Sequence, residues 1–237
     1  MKQLFKMFIV VFGFITLNTH ALDCVITLHG MGRTANSMKP LAKALEKEGF
    51  LVRNIDYPSR KQTIQQLAET VVKEGMDFCE AHSADKIFFV THSLGGLLVR
   101  YYFSKHSPEK LSGVVMLGPP NKGSQVADNL QSWDMFRWVN GPAGQQLSTD
   151  PESFCNQLQS ANFNLGIIAG TKTFNPILSQ MLPNPDDGKV TLENTKVEGM
   201  KDFIALPVTH TFMMKNKKVI KQVIHFIKYD QFIHDQL

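Results

Sequence analysis

Cysteine is scarce in this chain, with three in 237 residues: Cys24, Cys79 and Cys155. So few exclude a densely cross-linked scaffold, and an odd number in an exported protein allows at most one bridge with a thiol left over. Charge is sparse too, at 19% of residues, and 25 Lys and Arg nearly cancel 21 Asp and Glu. That balance leaves no nucleic-acid footprint. With 43% hydrophobic residues the composition is not that of a disordered chain, and it supports one globular domain with a sizeable core. No internal repeat is visible, and no cluster of ligand residues suggests a catalytic metal. Tryptophan occurs only at Trp133 and Trp138. No apolar run reaches the roughly 20 residues that a comfortable membrane span needs.

The one sustained apolar run, Met7 to Leu17, follows Lys2 and Lys6 and ends in small and polar residues up to Ala21. That order is a secretory signal peptide, with Thr19 and Ala21 as the small residues at the cleavage site. Residues 1–21 are therefore expected to be removed, leaving 22–237 as one domain of a secreted protein, periplasmic or extracellular. Removal takes two lysines and no acid, and lowers the formal charge from +4 to +2.

Beyond the leader, strand-like and helix-like runs alternate. "CVITLHG", "FLVRNIDYP", "KIFFVTH", "LSGVVMLGPP", "FNLGIIAG" and "KDFIALP" read as six strands, separated by amphipathic stretches such as "NSMKPLAKALEKEG". Such alternation predicts an α/β fold, a parallel sheet with helices on both faces. The rhythm breaks between Pro119 and Asn162. Connections in α/β units normally take about 2 to 6 residues, so this segment reads as a cap or lid. Its Trp133, Phe136 and Trp138 either line an acyl pocket or pack a satellite core, and apolar composition does not distinguish the two.

In "KIFFVTHSLGGLLVRYYF" a short apolar run, Ile87 to Val90, ends against Ser93, and helical spacing begins with Leu94, Leu97 and Leu98. A serine on a sharp strand-to-helix turn is lifted out of the sheet edge toward a helix N-terminus, as a nucleophile needs. An N-cap serine is the plainer alternative. A serine hydroxyl attacks only when a base takes its proton and a third group orients that base. "LPNPDDGKVTL" follows the fifth strand with Asp186 and Asp187, and "ALPVTHTFMM" follows the sixth with His210. The other histidines are less well placed: His82 and His106 lie at the opposite rim, and His92 is expected to point away from Ser93 Oγ. "LHGMGR" ends the first strand with Gly30 and Gly32 around Met31, and lacks the Lys-Ser/Thr of a nucleotide loop.

"HGMGR", "THSLGG", "DDGKV" and "VTH", in that order and at those strand ends, resemble the α/β-hydrolase family, most closely small secreted bacterial lipases and esterases. Thr91 stands where the first glycine of the G-x-S-x-G motif usually does. The resemblance implies Ser93 as nucleophile, His210 as base and Asp187 as acid, since "DGKV" is similar to the Asp-Gly-x-Val loop of secreted lipases. It also implies the Met31 and Leu94 amides as oxyanion donors. Asp186 would face solvent or accept backbone N–H bonds. The first strand begins directly after the leader, so a compact, six-stranded version is expected. The implied activity is cleavage of a small ester or lipid through an acyl-enzyme, without cofactor or metal, by a monomer. A thioesterase, amidase or acyltransferase would use the same groups, and a silent lipid-binding protein the same fold. The basic helix near Lys215 to Lys221, with Val219, Ile220, Val223, Ile224 and Ile227 on its apolar face, reads as a core helix with a solvated face; transient membrane-surface contact is the alternative. Cys24 and Cys79 both fall at the lower rim of the sheet and are the expected pair.

Overall fold

Six strands, β1 (Cys24–Leu28), β2 (Leu51–Ile55), β3 (Ile87–His92), β4 (Leu111–Leu117), β5 (Leu165–Gly170) and β6 (Asp202–Leu206), form one parallel sheet in the order β2-β1-β3-β4-β5-β6. The computed structural model describes residues 22–130, 134–173 and 185–234. Residues 1–21, where a leader is expected, therefore lie outside the described residues. β1, β3 and β5 are buried throughout, which is why they read as unbroken apolar runs, while the edge strands β2 and β6 are partly exposed.

Alternate residues of each strand feed two separate cores. Cys24, Ile26, Leu28, Ile87 and Phe89 pack under α2 (Ile64–Leu67), α3 (Lys73–Ala81) and α4 (Leu94–Phe103). Val25, Phe88, Val90 and Ile168 pack under α1 (Lys39–Lys47) and the C-terminal helix Lys217–Tyr229. The amphipathic run before "KIFFV" is not one uniform helix: Thr63 caps α2 with Gln66, and a π-helical turn, Ala68–Val72, joins it to α3. The basic C-terminal helix buries Val219, Val223, Phe226 and Ile227, so its apolar face is spent on the sheet. Among the described residues no helix is long and apolar enough to cross a membrane.

Cys24 and Cys79 are joined by a disulfide with Cα atoms 5.7 Å apart, tying β1 to α3. Cys155 is buried and unbridged, and burial pushes its thiol up to about 12.

The long excursion after β4 folds into α5 (Gln125–Leu130), α6 (Asp134–Gln145), kinked at Gly141 and Pro142, and α7 (Phe154–Gln157). It is fastened to the domain by polar contacts. Arg100, on α4 and only 5% exposed, donates to the carbonyls of Asn121 (2.8 Å), Leu158 (2.7 Å) and Gln159 (3.1 Å). Desolvation lowers this guanidinium to about 10, and carbonyl dipoles take the place of a carboxylate partner. At the other end, Gln146 accepts from the Ile64 amide at 2.7 Å and donates to Gln65 at 2.8 Å.

β1 leads to β2 on one side and β3 returns on the other, so the connections diverge between β1 and β3. In open α/β sheets the crevice at such carboxyl ends is where ligands bind. The loops carrying "HGMGR" and "THSLGG" both open there.

Candidate active site

Ser93 closes β3 with φ 52° and ψ −118°, a conformation disfavoured for a residue with a side chain and worth about 1 to 3 kcal/mol of strain. Its amide donates to the Leu117 carbonyl at 2.9 Å, which holds the turn against β4. The turn is tight because α4 lies almost on the strands. A Cβ on Gly95 would stand 3.0 Å from the Leu28 carbonyl oxygen, and one on Gly96 would stand 3.1 Å from Met116 Sδ. Leu94 is the first residue of α4, so its amide has no intrahelical acceptor. Thr91, in the glycine position of the motif, fits between β1 and β4 with its side chain fully buried.

Asp187 and His210 meet from the ends of β5 and β6. Asp187 Oδ2 lies 2.7 Å from His210 Nδ1, while Oδ1 accepts the amides of Lys189 (3.0 Å) and Val190 (2.9 Å). The His210 amide donates to the Asp187 carbonyl at 2.9 Å, so backbone and side chain both join the two loops. Both residues are buried. Asp186 is buried as well, not solvent-facing, and its Oδ1 accepts the Gly188 amide at 2.7 Å. Beneath the pair, Gly118 has φ 54°, and a Cβ there would stand 3.0 Å from Asp187 Oδ2 and 3.1 Å from His210 Nδ1. The sequence signal for that glycine was "LGPP" at a strand end, which names a turn but not its tenant.

The loop after β1 is braced by His29. Its Nδ1–H donates to the Gly30 carbonyl at 2.8 Å, its Nε2 accepts the Tyr57 amide at 3.2 Å, and its ring stacks on Tyr57 at 4.0 Å. Both bonds suit a neutral imidazole, and burial lowers the His29 pKa below 6.5. The Gly32 amide donates to Ser59 Oγ at 3.0 Å. Gly30 has no room for a side chain, since its Cβ would stand 2.7 Å from His92 Nδ1.

His92 is among the residues that line the same cavity as Ser93. Its Nε2–H donates to the His210 carbonyl at 2.9 Å, and the two rings sit 4.8 Å apart. Burial first, then the neighbouring His210, hold its pKa well below 6.5. Sequence reasoning missed this contact because it spans 118 positions.

Gly30, Met31, His92, Ser93 and His210 all line one cavity of about 120 Å³. Val126, Ala127, Asn140 and Leu147 add a wall from the excursion, so part of the expected cap borders the site. Trp133 lies outside the described residues. Phe136 and Trp138 belong to α6, but their side chains also lie outside them.

A family model described as alpha/beta hydrolase fold matches residues 23–160, more than half of the chain. No curated protein matches the sequence. Among solved structures, the mature Bacillus licheniformis lipase BlEst2 is 18% identical with a TM-score of 0.71, over 90% of this chain and 94% of that one. The Legionella pneumophila phospholipase PlaB is 18% identical at 0.65, over 86% of this chain and 57% of the other. Aspergillus fumigatus lipase B is 16% identical at 0.66, over 90% and 54%. At such identities the likeness is one of fold.

Proposed function

The chain belongs to the α/β-hydrolase fold family, and on that premise we propose that it is a secreted serine hydrolase that cleaves carboxylic esters through an acyl-enzyme. The observation that carries this reading is the buried 2.7 Å contact between Asp187 and His210 at a cavity shared with Ser93. Asp187 Oδ2 accepts the Nδ1–H of His210, which leaves Nε2 as the basic nitrogen. Nε2 takes the Ser93 proton as Oγ attacks the ester carbonyl. The Met31 and Leu94 amides donate to the resulting oxyanion, an interaction worth roughly 3 kcal/mol per donor in a preorganised site. His210 then returns the proton to the departing alkoxide. Water, activated by the same nitrogen, hydrolyses the acyl-Ser93 ester and releases the acid.

The chemistry needs no cofactor. Lipases and a phospholipase among the structural neighbours support an ester or lipid substrate. The leader and the Cys24–Cys79 bridge support export, since disulfides persist in oxidising compartments. The test is labelling by a fluorophosphonate probe. The folded protein is expected to be labelled at Ser93, and Ser93→Ala is expected to lose both label and esterase activity. Label at another serine, or full activity in Ser93→Ala, would overturn the assignment.

A further inference from the structure

The cavity beside Ser93 is apolar over much of its wall, with Val126, Ala127, Leu147 and Val190 among its lining. Among the described residues its charged lining is of one sign only: Arg33 reaches it from the loop after β1 and Lys189 from the loop carrying Asp187, and no described carboxylate joins them. Asp187 offsets part of the Lys189 charge through space, but its oxygens are engaged by His210 and by two backbone amides, and neither cation forms a direct ion pair with it. Among the described residues neither Arg33 nor Lys189 takes part in an ion pair.

Both cations are mounted on the loops that carry the reacting groups. The Arg33 amide donates to the Gly30 carbonyl at 3.2 Å, which closes the turn around Met31. Lys189 gives its amide to Asp187 Oδ1, and its carbonyl accepts from Ser124 Oγ at 2.7 Å. Their backbone positions are thereby fixed relative to the scissile carbonyl. Holding two like charges at one cavity is unfavourable in the free protein. Lys189 registers that cost: although it is exposed, its pKa is lowered, by desolvation first and by Arg33 second. An anion at the mouth would relieve the repulsion and gain two charge-assisted contacts.

We infer that Arg33 and Lys189 form an anion-binding subsite, and that the substrate is an ester carrying a phosphate or carboxylate close to the scissile carbonyl. The inference rests on the ester-hydrolase reading and specifies its substrate class. The bonds made and broken are those of ester hydrolysis. The anion is not transformed; it aligns the ester for attack by Ser93 and draws it toward the cavity.

Two pairs of matched substrates distinguish where the anion sits. A monoacylglycerol against the corresponding acylglycerol phosphate places it on the alcohol; 4-nitrophenyl butyrate against mono-4-nitrophenyl glutarate places it on the acyl chain. In at least one pair the anionic ester is expected to have the higher kcat/KM, by about tenfold at low salt, and to lose that advantage as salt screens it. The double variant Arg33→Gln, Lys189→Gln is expected to bring the ratio close to one. The charge-conserving exchange Arg33→Lys, Lys189→Arg is expected to keep most of it, which separates charge from folding. Turnover of neutral esters with Ser93 labelled, but no anionic preference in either pair, overturns the subsite and leaves the hydrolase standing. A preference that survives the double neutralisation overturns it as well. No turnover of any ester and no label on Ser93 would mean that the hydrolase reading itself has failed, and the subsite with it.

Discussion

At the end of β3 close backbone approach positions the serine, whereas at the ends of β5 and β6 hydrogen-bonded, buried side chains position the acid and the base. Ser93 stands in a strained conformation on a turn whose tightness comes from Gly95 and Gly96 lying against Leu28 and Met116. Asp187 and His210 are held by a chain of hydrogen bonds that runs from the amides of residues 189 and 190 through the carboxylate to the imidazole. The same chain continues at the His210 carbonyl, which accepts from His92 on the elbow itself. The tightness of the serine turn therefore depends on the absence of side chains, and the Asp187–His210 pairing on their presence. Damage to the first should appear as lost packing, and damage to the second as lost chemistry in a protein that still folds.

The largest expected effect lies in the second half. Asp187→Asn keeps the shape but cannot fix the His210 tautomer, and kcat is expected to fall by about 10⁴-fold. Asp186→Asn alters a residue whose Oδ1 accepts the Gly188 amide rather than the His210 imidazole, and a far smaller loss is expected. Both are to be measured on one soluble ester after circular dichroism shows a native fold. A larger loss in Asp186→Asn would reassign the acid, and equal modest losses would move it to another loop.

Two glycine substitutions set the halves against each other. Gly118→Ala drives a Cβ to about 3 Å from Asp187 Oδ2 and His210 Nδ1 at a positive φ, so the pair must separate. A displacement of that kind is expected to lower kcat by roughly 10²-fold. Gly95→Ala meets backbone instead, 3.0 Å from the Leu28 carbonyl oxygen, and α4 must lift from β1. Its main signature is a stability loss of about 1 to 3 kcal/mol, read from denaturant unfolding. If Gly118→Ala lost stability while retaining kcat, or Gly95→Ala did the reverse, the division between the two halves would be wrong.

A smaller effect tests the buried histidines that brace both halves. His29 and His92 have folded pKa values below the 6.5 of an unfolded chain. Between the folded value and 6.5 the unfolded state binds more protons, so stability rises with pH through that window and falls as pH drops below about 7. Melting temperature is expected to decline from pH 7.5 toward pH 5.5, with a shallower decline in His92→Asn. A wild-type profile flat over that range would show that the two imidazoles are not held neutral.

The same division explains what could be read from the sequence. Six strands, their order along the chain and the family motifs follow from local patterns: continuous apolar runs, helical spacing and glycines at strand ends. Chain order brought Ser93, the Asp186–Asp187 pair and His210 to one rim, and the family resemblance chose Asp187; Ser93 and His210 line one cavity, with Asp187 bonded to His210 beside it. The pairing of Cys24 with Cys79 was also accessible, because both fall at the opposite rim. Contacts between distant segments were not. Arg100 reads as one more polar residue in an amphipathic helix, yet it anchors carbonyls 21 to 59 positions away. His92 reads as a neighbour of the serine, and its partner lies on the last loop of the sheet. Nor did two adjacent aspartates reveal that both would be buried, since "PDDG" has the composition of an exposed turn.

Thr91 gives the smallest expected effect, and it bears on the one place where the motif departs from its family. Its Oγ1 is buried without a hydrogen-bond partner among the described residues, one residue before the C-terminal end of the central strand β3. A hydroxyl taken from water and left unpaired costs about 1 to 3 kcal/mol. Valine has nearly the same shape and no such group, so Thr91→Val is expected to stabilise by about 1 kcal/mol, a rise of roughly 2 to 4 °C in melting temperature for a domain of this size. Thr91→Gly restores the family pattern but removes packed methyl contact and loosens a central strand, and it is expected to destabilise. Melting curves of both variants, with ester turnover measured alongside, give the answer. A fall in melting temperature for Thr91→Val would show that the hydroxyl is satisfied, and a rise for Thr91→Gly would show that the side chain crowds α4. The expected opposite signs would mean that this chain has adapted its elbow to a β-branched residue, keeping the close approach through Gly95 and Gly96 on the helix side instead.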